Sequence, residues 1–227
     1  MRDSKGSTDS VRTIPNKVQD TRKTRQVLRP VSTVAVGVQD GSFEAFQRGI
    51  DNTIQYTSLC LTRLSGYVIQ DARVACITVD GLDATDILLN NLVDWDYDVI
   101  ILGGATFAGF NVVDVENVYK TTGRPVIVFS PKMPDVDATL NALRKHFPDW
   151  RQRWSRYEAL GVLHQFTIRD YPPIYYEVVG ESTGFAEKVL TEQAINGRTP
   201  EAVRVADLIA KGVSSVFQGR VESRYGS

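Results

Sequence analysis

Histidine and cysteine are scarce in this chain, which has two of each among 227 residues. His146 and His164 have no nucleophile and carboxylate at a recognisable spacing, so we expect no Ser-His-Asp or Cys-His site. There is also no CxxC pair and no zinc-ligand spacing. Cys60 and Cys76 lie in apolar, strand-like sequence, which favours two buried thiols in a reduced, intracellular protein.

Long apolar runs and an excess of one charge are also missing. No stretch approaches the length of a membrane span, and the N-terminus has no apolar signal-peptide core. The 26 Lys and Arg residues nearly balance the 27 Asp and Glu residues. This balance excludes a histone-like basic protein but still allows a local basic groove. We therefore expect a cytoplasmic protein with no membrane partner.

Residues 1–30 differ from the rest of the chain, with eight basic residues, three acidic residues and few apolar ones. This composition predicts a basic, flexible tail, followed by a single domain over residues 31–227. The domain begins with strands and continues with alternating strands and helices, which predicts an α/β fold with a mixed β-sheet flanked by helices on both sides. The predicted strands are 31–38, 56–64, 74–79, 98–102, 126–130, 162–168 and 174–179, and the predicted helices begin at 83, 111, 136, 150, 184 and 200.

Acidic residues follow two of the predicted strands. Asp40 ends the first strand, and Asp80 ends a later one, with Asp83 and Asp86 close behind. Carboxylates at neighbouring strand ends can share a Mg²⁺ ion, which prefers oxygen ligands. Helix capping also explains Asp83 and Asp86, and ordinary turn chemistry also explains Asp80.

The stretch ILGGATFAGFNVVD begins with an apolar strand that stops at Gly103 and Gly104. It has neither the spacing nor the lysine of a Walker loop, and it does not match GxGxxG. Backbone N–H groups could still cradle a phosphate here, and close backbone packing is the alternative explanation for the glycines. Gly103, Gly104, Thr106 and Asn111 are therefore substrate-binding candidates, although Asn111 also suits the start of a helix ending near Gly123.

The segment HFPDWRQRWSRYEAL interleaves aromatic and basic side chains. Trp150, Trp154 and Tyr157 follow a spacing of four and three residues, which favours an amphipathic helix with a buried aromatic stripe and a solvated basic face. Stacking of these aromatic rings on nucleic-acid bases is the alternative.

Several motifs together resemble the endonuclease V-like, largely archaeal family of uncharacterised proteins. The resemblance runs from Val31 to the C-terminus through GVQDGSF, ITVDGLDATD, GGATFAGFNVVDVENVYKTTGRPVIV, ALRKHFPDWRQRW and TPEAVRVADLIAKG. It implies a ribonuclease-H-like fold and an enzyme that uses Mg²⁺ or Mn²⁺ to cleave DNA or RNA near a deaminated base, inosine. PVIVFSPK is similar to the family strand that ends in a lysine, which points to Lys132, and TPEAVRVAD is similar to a C-terminal helix of endonuclease V that contains Arg204.

The chain departs from the family pattern at three metal-binding positions. Gln39-Asp40-Gly41 stands where related proteins have Asp-Asp-Gly, and Gly103 stands where endonuclease V has an aspartate. Gly184 falls at a third acidic position, with Glu181 nearby. A one-residue gap decides whether Asp40 or Gln39 corresponds to the first metal-binding residue.

Three functions therefore remain open. The first is an endonuclease with Asp40, Asp80, Asp83 and Lys132 in the catalytic set and a Mg²⁺ or Mn²⁺ ion on Asp40 and Asp86. The second is a non-catalytic nucleic-acid-binding relative that uses Lys132, Arg204 and the basic tail. The third is a nucleotide or small-molecule binding protein that uses the loop from Gly103 to Phe110; the sequence predicts no oligomeric state.

Overall fold

The computed structural model describes residues 33–43 and 54–218. The predicted basic tail at residues 1–30 lies outside them and stays a prediction. The strands are β1 Val34–Asp40, β2 Tyr56–Ser65, β3 Val68–Thr78, β4 Val99–Leu102, β5 Thr106–Phe107, β6 Asn111–Val112, β7 Val126–Ser130, β8 His164–Phe166 and β9 Ile174–Val179. The helices are α1 Ala84–Leu92, α2 Val115–Thr122, α3 Val136–His146, α4 Trp150–Glu158, α5 Thr183–Gln193 and α6 Glu201–Gln218.

Seven strands form one mixed sheet in the order β3-β2-β1-β4-β7-β9-β8. The central strands β1, β4 and β7 are parallel, whereas β2 and β3 on one side and β9 and β8 on the other pair antiparallel. Parallel central strands are apolar because both of their faces are covered, and every residue of β4 is buried. The carboxyl ends of β1, β4 and β7 therefore meet at one edge of the sheet.

Two hydrophobic cores lie on opposite faces of this sheet. Val36 and Val38 of β1 pack with residues of α1 and α2 in one core. Ala35 of the same strand packs with residues of α5 and α6 in the other. The α/β sheet with helices on both sides is therefore confirmed.

Helix α6 lies directly against β1 because two small residues, Gly37 of β1 and Ala202 of α6, meet where they pack. A Cβ atom at Gly37 would lie 2.1 Å from the carbonyl carbon of Ala202, so no larger residue fits there without moving the helix. The Thr62 hydroxyl of neighbouring β2 donates a hydrogen bond of 2.7 Å to the Ala202 carbonyl oxygen. This close approach fixes which α6 residues can reach the end of β1.

Three sequence expectations need correction. Asn111 does not start a helix: it lies in the short β5–β6 hairpin, and Asp114 caps α2 by accepting a hydrogen bond from the Asn117 N–H. Asp83 stands at the N-cap of α1 but makes no side-chain capping bond, because its carboxylate is held elsewhere. Cys60 is buried as expected, whereas Cys76 is exposed on the edge strand β3.

Candidate functional site at the carboxyl end of the central strands

Alternation along β1 places Gln39 and Asp40 on opposite faces of the sheet. Successive strand residues point to opposite sides, and Gly37 marks the side that contacts α6. Gln39 shares that side, whereas Asp40 shares the side of Val36 and Val38, which pack towards α1 and α2. Asp40 therefore starts on the opposite face from Gln39, but at the strand end its Oδ1 still lies 3.3 Å from the Gln39 amide nitrogen.

The Gln39 side chain fills the space beside Gly103. Strands β1 and β4 are parallel neighbours, and the Gly103 N–H donates to the Val38 carbonyl at 3.0 Å. A Cβ atom at residue 103 would lie 1.8 Å from Gln39 Oε1 and 3.0 Å from Val203 Cγ1. A side chain at position 103 is thus incompatible with this position of Gln39.

Gln39 Oε1 is itself a buried acceptor with no hydrogen-bond partner among the residues that the structure describes. Its amide nitrogen donates to Asp40 Oδ1 at 3.3 Å. A buried polar atom without a partner costs free energy, so its presence in a strand-end site suggests a missing ligand.

Asp40 accepts a 2.5 Å hydrogen bond from the Ala108 N–H through Oδ2. Burial raises the pKa of its carboxyl group above the usual value, the Ala108 N–H counteracts this, and the nearby charges of Asp207 and Lys211 raise and lower it respectively. Asp207 and Lys211 lie on α6 and form an ion pair of 2.8 Å. Both charges act on the Asp40 carboxyl, and sequence reasoning missed both residues; the only available signal was their position six and ten residues after Glu201 in TPEAVRVADLIAKG.

Asp80 and Asp40 both bind the tip of the β5–β6 hairpin, residues 108–110. Asp80 follows β3 and Asp40 ends β1, and these two strands are not adjacent in the sheet. Asp80 Oδ1 accepts from the Phe110 N–H at 2.9 Å, and the Asp80 N–H donates to the Ala108 carbonyl at 2.7 Å. Asp80 has a φ of 56° and Ala108 a φ of 45°, both in the left-handed region that non-glycine residues seldom adopt. The two carboxylates therefore hold a strained turn next to the end of β1.

Arg153 of α4 holds the loop after β3 and the β5–β6 hairpin together through hydrogen bonds to their carbonyl oxygens. Its guanidinium donates to the carbonyl oxygens of Gly81 at 2.7 Å, Phe110 at 2.6 Å and Asp80 at 3.0 Å. It also forms an ion pair of 3.0 Å with Asp149. The expectation of a solvated basic face on α4 is therefore wrong at Arg153, because this side chain is buried and carries the hydrogen bonds of two loops.

Asp83, Asp86 and Asn111 lie around the start of α1. Asp83 accepts from the Thr78 hydroxyl at 2.6 Å and from the Asn111 amide at 2.5 Å, while Asn111 Oδ1 accepts from the Ala84 N–H at 3.0 Å. Asp86 is exposed on the helix. These carboxylates do not converge on Asp40, and within residues 33–43 and 54–218 no three His, Cys, Asp or Glu side chains form a possible metal cluster.

The remaining sequence candidates do not all lie at this edge, because β9 runs antiparallel to β7 and leads to Gly184 from the opposite edge of the sheet. Lys132 is exposed just after β7, and Gly184 lies in open surroundings at the start of α5. The Arg204 guanidinium donates two hydrogen bonds, of 2.8 and 2.6 Å, to the carboxylate of the buried Glu201, and these bonds lower the pKa of the Glu201 carboxyl. Their roles in binding or catalysis stay predictions.

A cavity of about 300 Å³ opens beside the hairpin tip. It is lined by Phe43, Asp80, Thr106, Gly109, Phe110, Thr139 and Tyr157. Gly104 lies in the loop from Gly103 to Phe110, in which Phe107 is buried and Phe110 packs edge-to-face on Phe147 with ring centroids 5.3 Å apart. Thr106, Gly109 and Phe110 of the loop that the small-molecule hypothesis invoked line this cavity, so that hypothesis stays a prediction.

Glu177 is a buried acid whose charge acts on Tyr157, a residue that lines this cavity. It is 9% exposed on β9, and burial raises its pKa to about 7. Its charge in turn raises the pKa of Tyr157, after the larger effect of burial on that phenol. No helix in the described part of the chain is long and apolar enough to span a membrane.

The sheet order, the parallel centre and the C-terminal helix on β1 define a ribonuclease-H-like fold of the endonuclease V type. The crystal structure of endonuclease V from Ciona intestinalis, in complex with DNA containing an inosine followed by a ribo-adenosine, has this fold, with a TM-score of 0.51 and 12% identity over 78% of this chain and 84% of that chain. Endonuclease V from Streptomyces avermitilis matches with a TM-score of 0.50 and 12% identity over 80% and 81% of the two chains. At such low identity these neighbours define the fold alone.

The family described as Endonuclease dU matches residues 32–214, and the chain belongs to it. A UPF0215 protein of Pyrococcus furiosus is 35% identical over 193 residues, covering 83% of this chain and 95% of that protein. A protein of Archaeoglobus fulgidus, solved by crystallography, has a TM-score of 0.69 and 28% identity over 80% of this chain and 98% of that one. The resemblance stated from the sequence motifs is therefore confirmed.

Proposed function

We propose that the protein is a DNA endonuclease that acts at deaminated bases and uses a single divalent ion. The family description supports deoxyuridine as the first base to test, with inosine as the second. The observation that carries the proposal is that two oxygen donors meet at the end of β1. They are the unpartnered Gln39 Oε1 and the carboxylate of Asp40, which accepts from the Gln39 amide nitrogen at 3.3 Å, and the charge of Asp207 on α6 acts on Asp40.

This donor set fits one Mg²⁺ or Mn²⁺ ion. Such ions accept only oxygen ligands readily and often take one or two carboxylates, with waters and substrate phosphate completing the shell. An ion bound there supplies charge neutralisation at the phosphate and a lowered pKa of bound water. Gln39 and Asp40 would hold it, with Asp207 of α6 as a further carboxylate, whereas Asp86 is exposed on α1 and Gly103 offers no ligand.

Other residues of the chain position the Asp40 carboxylate. The Ala108 N–H fixes one oxygen of Asp40, and Lys211 lies close enough to stabilise the charged form of that carboxylate. Asp80 and Arg153 hold the hairpin tip that supplies the Ala108 N–H. Lys132 follows β7, two strands from β1, and would be a further cation for a substrate phosphate at this edge of the sheet.

A second function, binding without cleavage, is favoured by one specific observation. Gln39 at the end of β1 occupies the space beside Gly103 at the end of β4. On the face towards α6, these two strand ends therefore present an amide and no carboxylate. If the remaining donors hold no ion, the same edge would bind nucleic acid through its cations, and that binding would weaken steeply with salt.

The deciding experiment is cleavage of end-labelled oligonucleotides with Mg²⁺ or Mn²⁺. Single- and double-stranded DNA with deoxyuridine, inosine or no lesion, and matching RNA, are compared for the wild type, Asp40→Asn and Asp207→Asn. We expect cutting near deoxyuridine that falls more than about tenfold in each variant, since both positions act on the ion. Asp137→Asn, an exposed acid on α3, is the control. Salt-sensitive binding with no cutting by the wild type would establish the second function.

A further inference from the structure

The outer face of α4 carries an aromatic stripe that leads to the cavity. Trp150, Trp154 and Tyr157 are spaced four and three residues apart and therefore lie along one side of the helix. All three are only half-buried, contrary to the buried stripe expected from the sequence. Trp154 stacks on Tyr157 with ring centroids 5.6 Å apart and an angle of 7°, and Tyr157 lines the cavity.

Exposed cations flank the far end of this stripe. The guanidinium carbons of Arg144 and Arg151 lie 5.0 and 4.6 Å from the centroid of Trp150. Lys145 is exposed nearby, and none of these three cations forms an ion pair with a carboxylate in the described part of the chain.

The nearby acids do not cancel these charges. Asp149 is bound to the buried Arg153, and Glu158 accepts a 2.7 Å hydrogen bond from the Trp154 indole. The other cation of α4, Arg156, is held by the Val112 carbonyl at 2.9 Å. The surface thus presents flat aromatic rings and uncompensated positive charge along one line.

We propose that this face, defined as Arg144, Lys145, Trp150, Arg151 and Trp154, binds the unpaired DNA strand that extends from the cavity. Exposed aromatic rings stack on successive bases without sequence preference, and basic side chains beside them hold the phosphates. The identity of the ligand as DNA rests on the proposed function, whereas the location rests on the geometry of α3 and α4. An acidic peptide would use the cations but gain nothing from rings spaced along the path to the cavity.

The test measures equilibrium binding of a short single-stranded DNA containing one deoxyuridine, and of the duplex with the same sequence. The variants are Trp150→Leu and the double variant Arg144→Gln/Arg151→Gln, in which both arginine side chains are exposed and contact the Trp150 ring. Lys188→Gln is the control, because it removes one exposed charge from α5.

We expect Trp150→Leu to weaken single-strand binding at least about fivefold, the amount expected for loss of one base-stacking contact. The double arginine variant should also flatten the dependence of log affinity on log salt, by about 0.7 for each lost phosphate contact. Lys188→Gln should leave the slope unchanged.

Three results would overturn the proposal, and they differ in what else they reject. If the wild type binds DNA but both α4-face variants bind as the wild type does, the surface is wrong while the proposed function stands. If the wild type neither binds nor cleaves any DNA tested, both are wrong. An acidic peptide that binds this face more tightly than the single strand would also reject the proposal.

Discussion

Gln39 Oε1 lies 1.8 Å from the point where a Cβ atom at Gly103 would stand, so the two residues occupy one space between β1, β4 and α6. The absence of a side chain at position 103 is therefore coupled to the presence of a long one at position 39. This relationship explains the glycine by close packing, as one of the sequence alternatives held. It also leaves the amide oxygen of Gln39 where a carboxylate on β4 would otherwise point.

Adding a methyl group at position 103 tests this coupling. Gly103→Ala should lower the free energy of unfolding by about 1–3 kcal/mol, because the new atom overpacks against Gln39. In a Gln39→Ala background the same change should cost at least about 1 kcal/mol less. Urea unfolding of the four proteins measures the coupling, and Gly184→Ala, which meets no atom within 4 Å, is the matched control. Additive effects of the two changes would show that the side chain of Gln39 does not fill this space.

Restoring a carboxylate at the end of β1 should strengthen ion binding. Gln39→Asp places a second acid on the side of the strand that faces α6 and Asp207, and ligand charge raises the affinity of oxygen sites for divalent ions. We expect Mn²⁺ to bind about tenfold more tightly to this variant in calorimetric titration. Gln39→Asn, which keeps the amide, should not gain affinity; equal gains in both variants would mean that side-chain length and not charge is responsible.

Arg153 should be among the most sensitive positions outside the cores. Arg153→Met leaves Asp149 and three loop carbonyls without their partner, and loss of one member of a buried ion pair costs about 3 kcal/mol or more. Arg156→Gln removes a single hydrogen bond to Val112 and should cost about 1 kcal/mol. Hydrogen exchange should also accelerate at the Phe110 amide in the Met variant; unchanged protection there would contradict its role in holding the hairpin tip.

Glu177 makes the stability of the protein depend on pH. Its folded pKa of about 7 lies above the ordinary 4.5, so the folded state holds the proton more tightly. Stability should therefore fall as pH rises from about 4.5 to about 7, and the loss at higher pH amounts to about 3 kcal/mol for this shift.

Glu177→Gln removes that titration while keeping the shape of the side chain. We expect the variant to be more stable than the wild type above pH 7 and the difference to vanish towards pH 4.5, as measured by urea unfolding across this range. Parallel stability curves for the two proteins would show that Glu177 is ionised in the folded state like an exposed glutamate.

The sheet could be predicted from sequence because its strands are short apolar runs with clear ends. Val126–Ser130 and Ile174–Val179 were predicted with the bounds that the structure has. The hairpin at residues 106–112 could not be predicted from the sequence, because two-residue strands leave no periodic pattern. The motif TPEAVRVAD was noticed, but the effect of the Asp207 charge on Asp40 depends on how α6 packs against Gly37.

The faces of Gln39 and Asp40 show why the site was harder to predict than the fold. A shift of one residue along a strand moves a side chain to the other face of the sheet. Motif alignment alone therefore could not decide whether Gln39 or Asp40 corresponds to the first metal-binding residue. Arg153 was misassigned for a related reason, since helical spacing indicates a face but not the loop carbonyls packed on it.

The number of divalent ions that the protein binds tests the central claim most directly. Titration of Mn²⁺ into the wild-type chain, followed by calorimetry or by loss of the free-ion spectroscopic signal, should reveal one site per chain. Asp207→Asn should abolish or strongly weaken it, while Asp137→Asn should not. One site lost with Asp207 supports a single-ion centre formed by Gln39, Asp40 and Asp207; no saturable site, or one that is unaffected by Asp207→Asn, would contradict it.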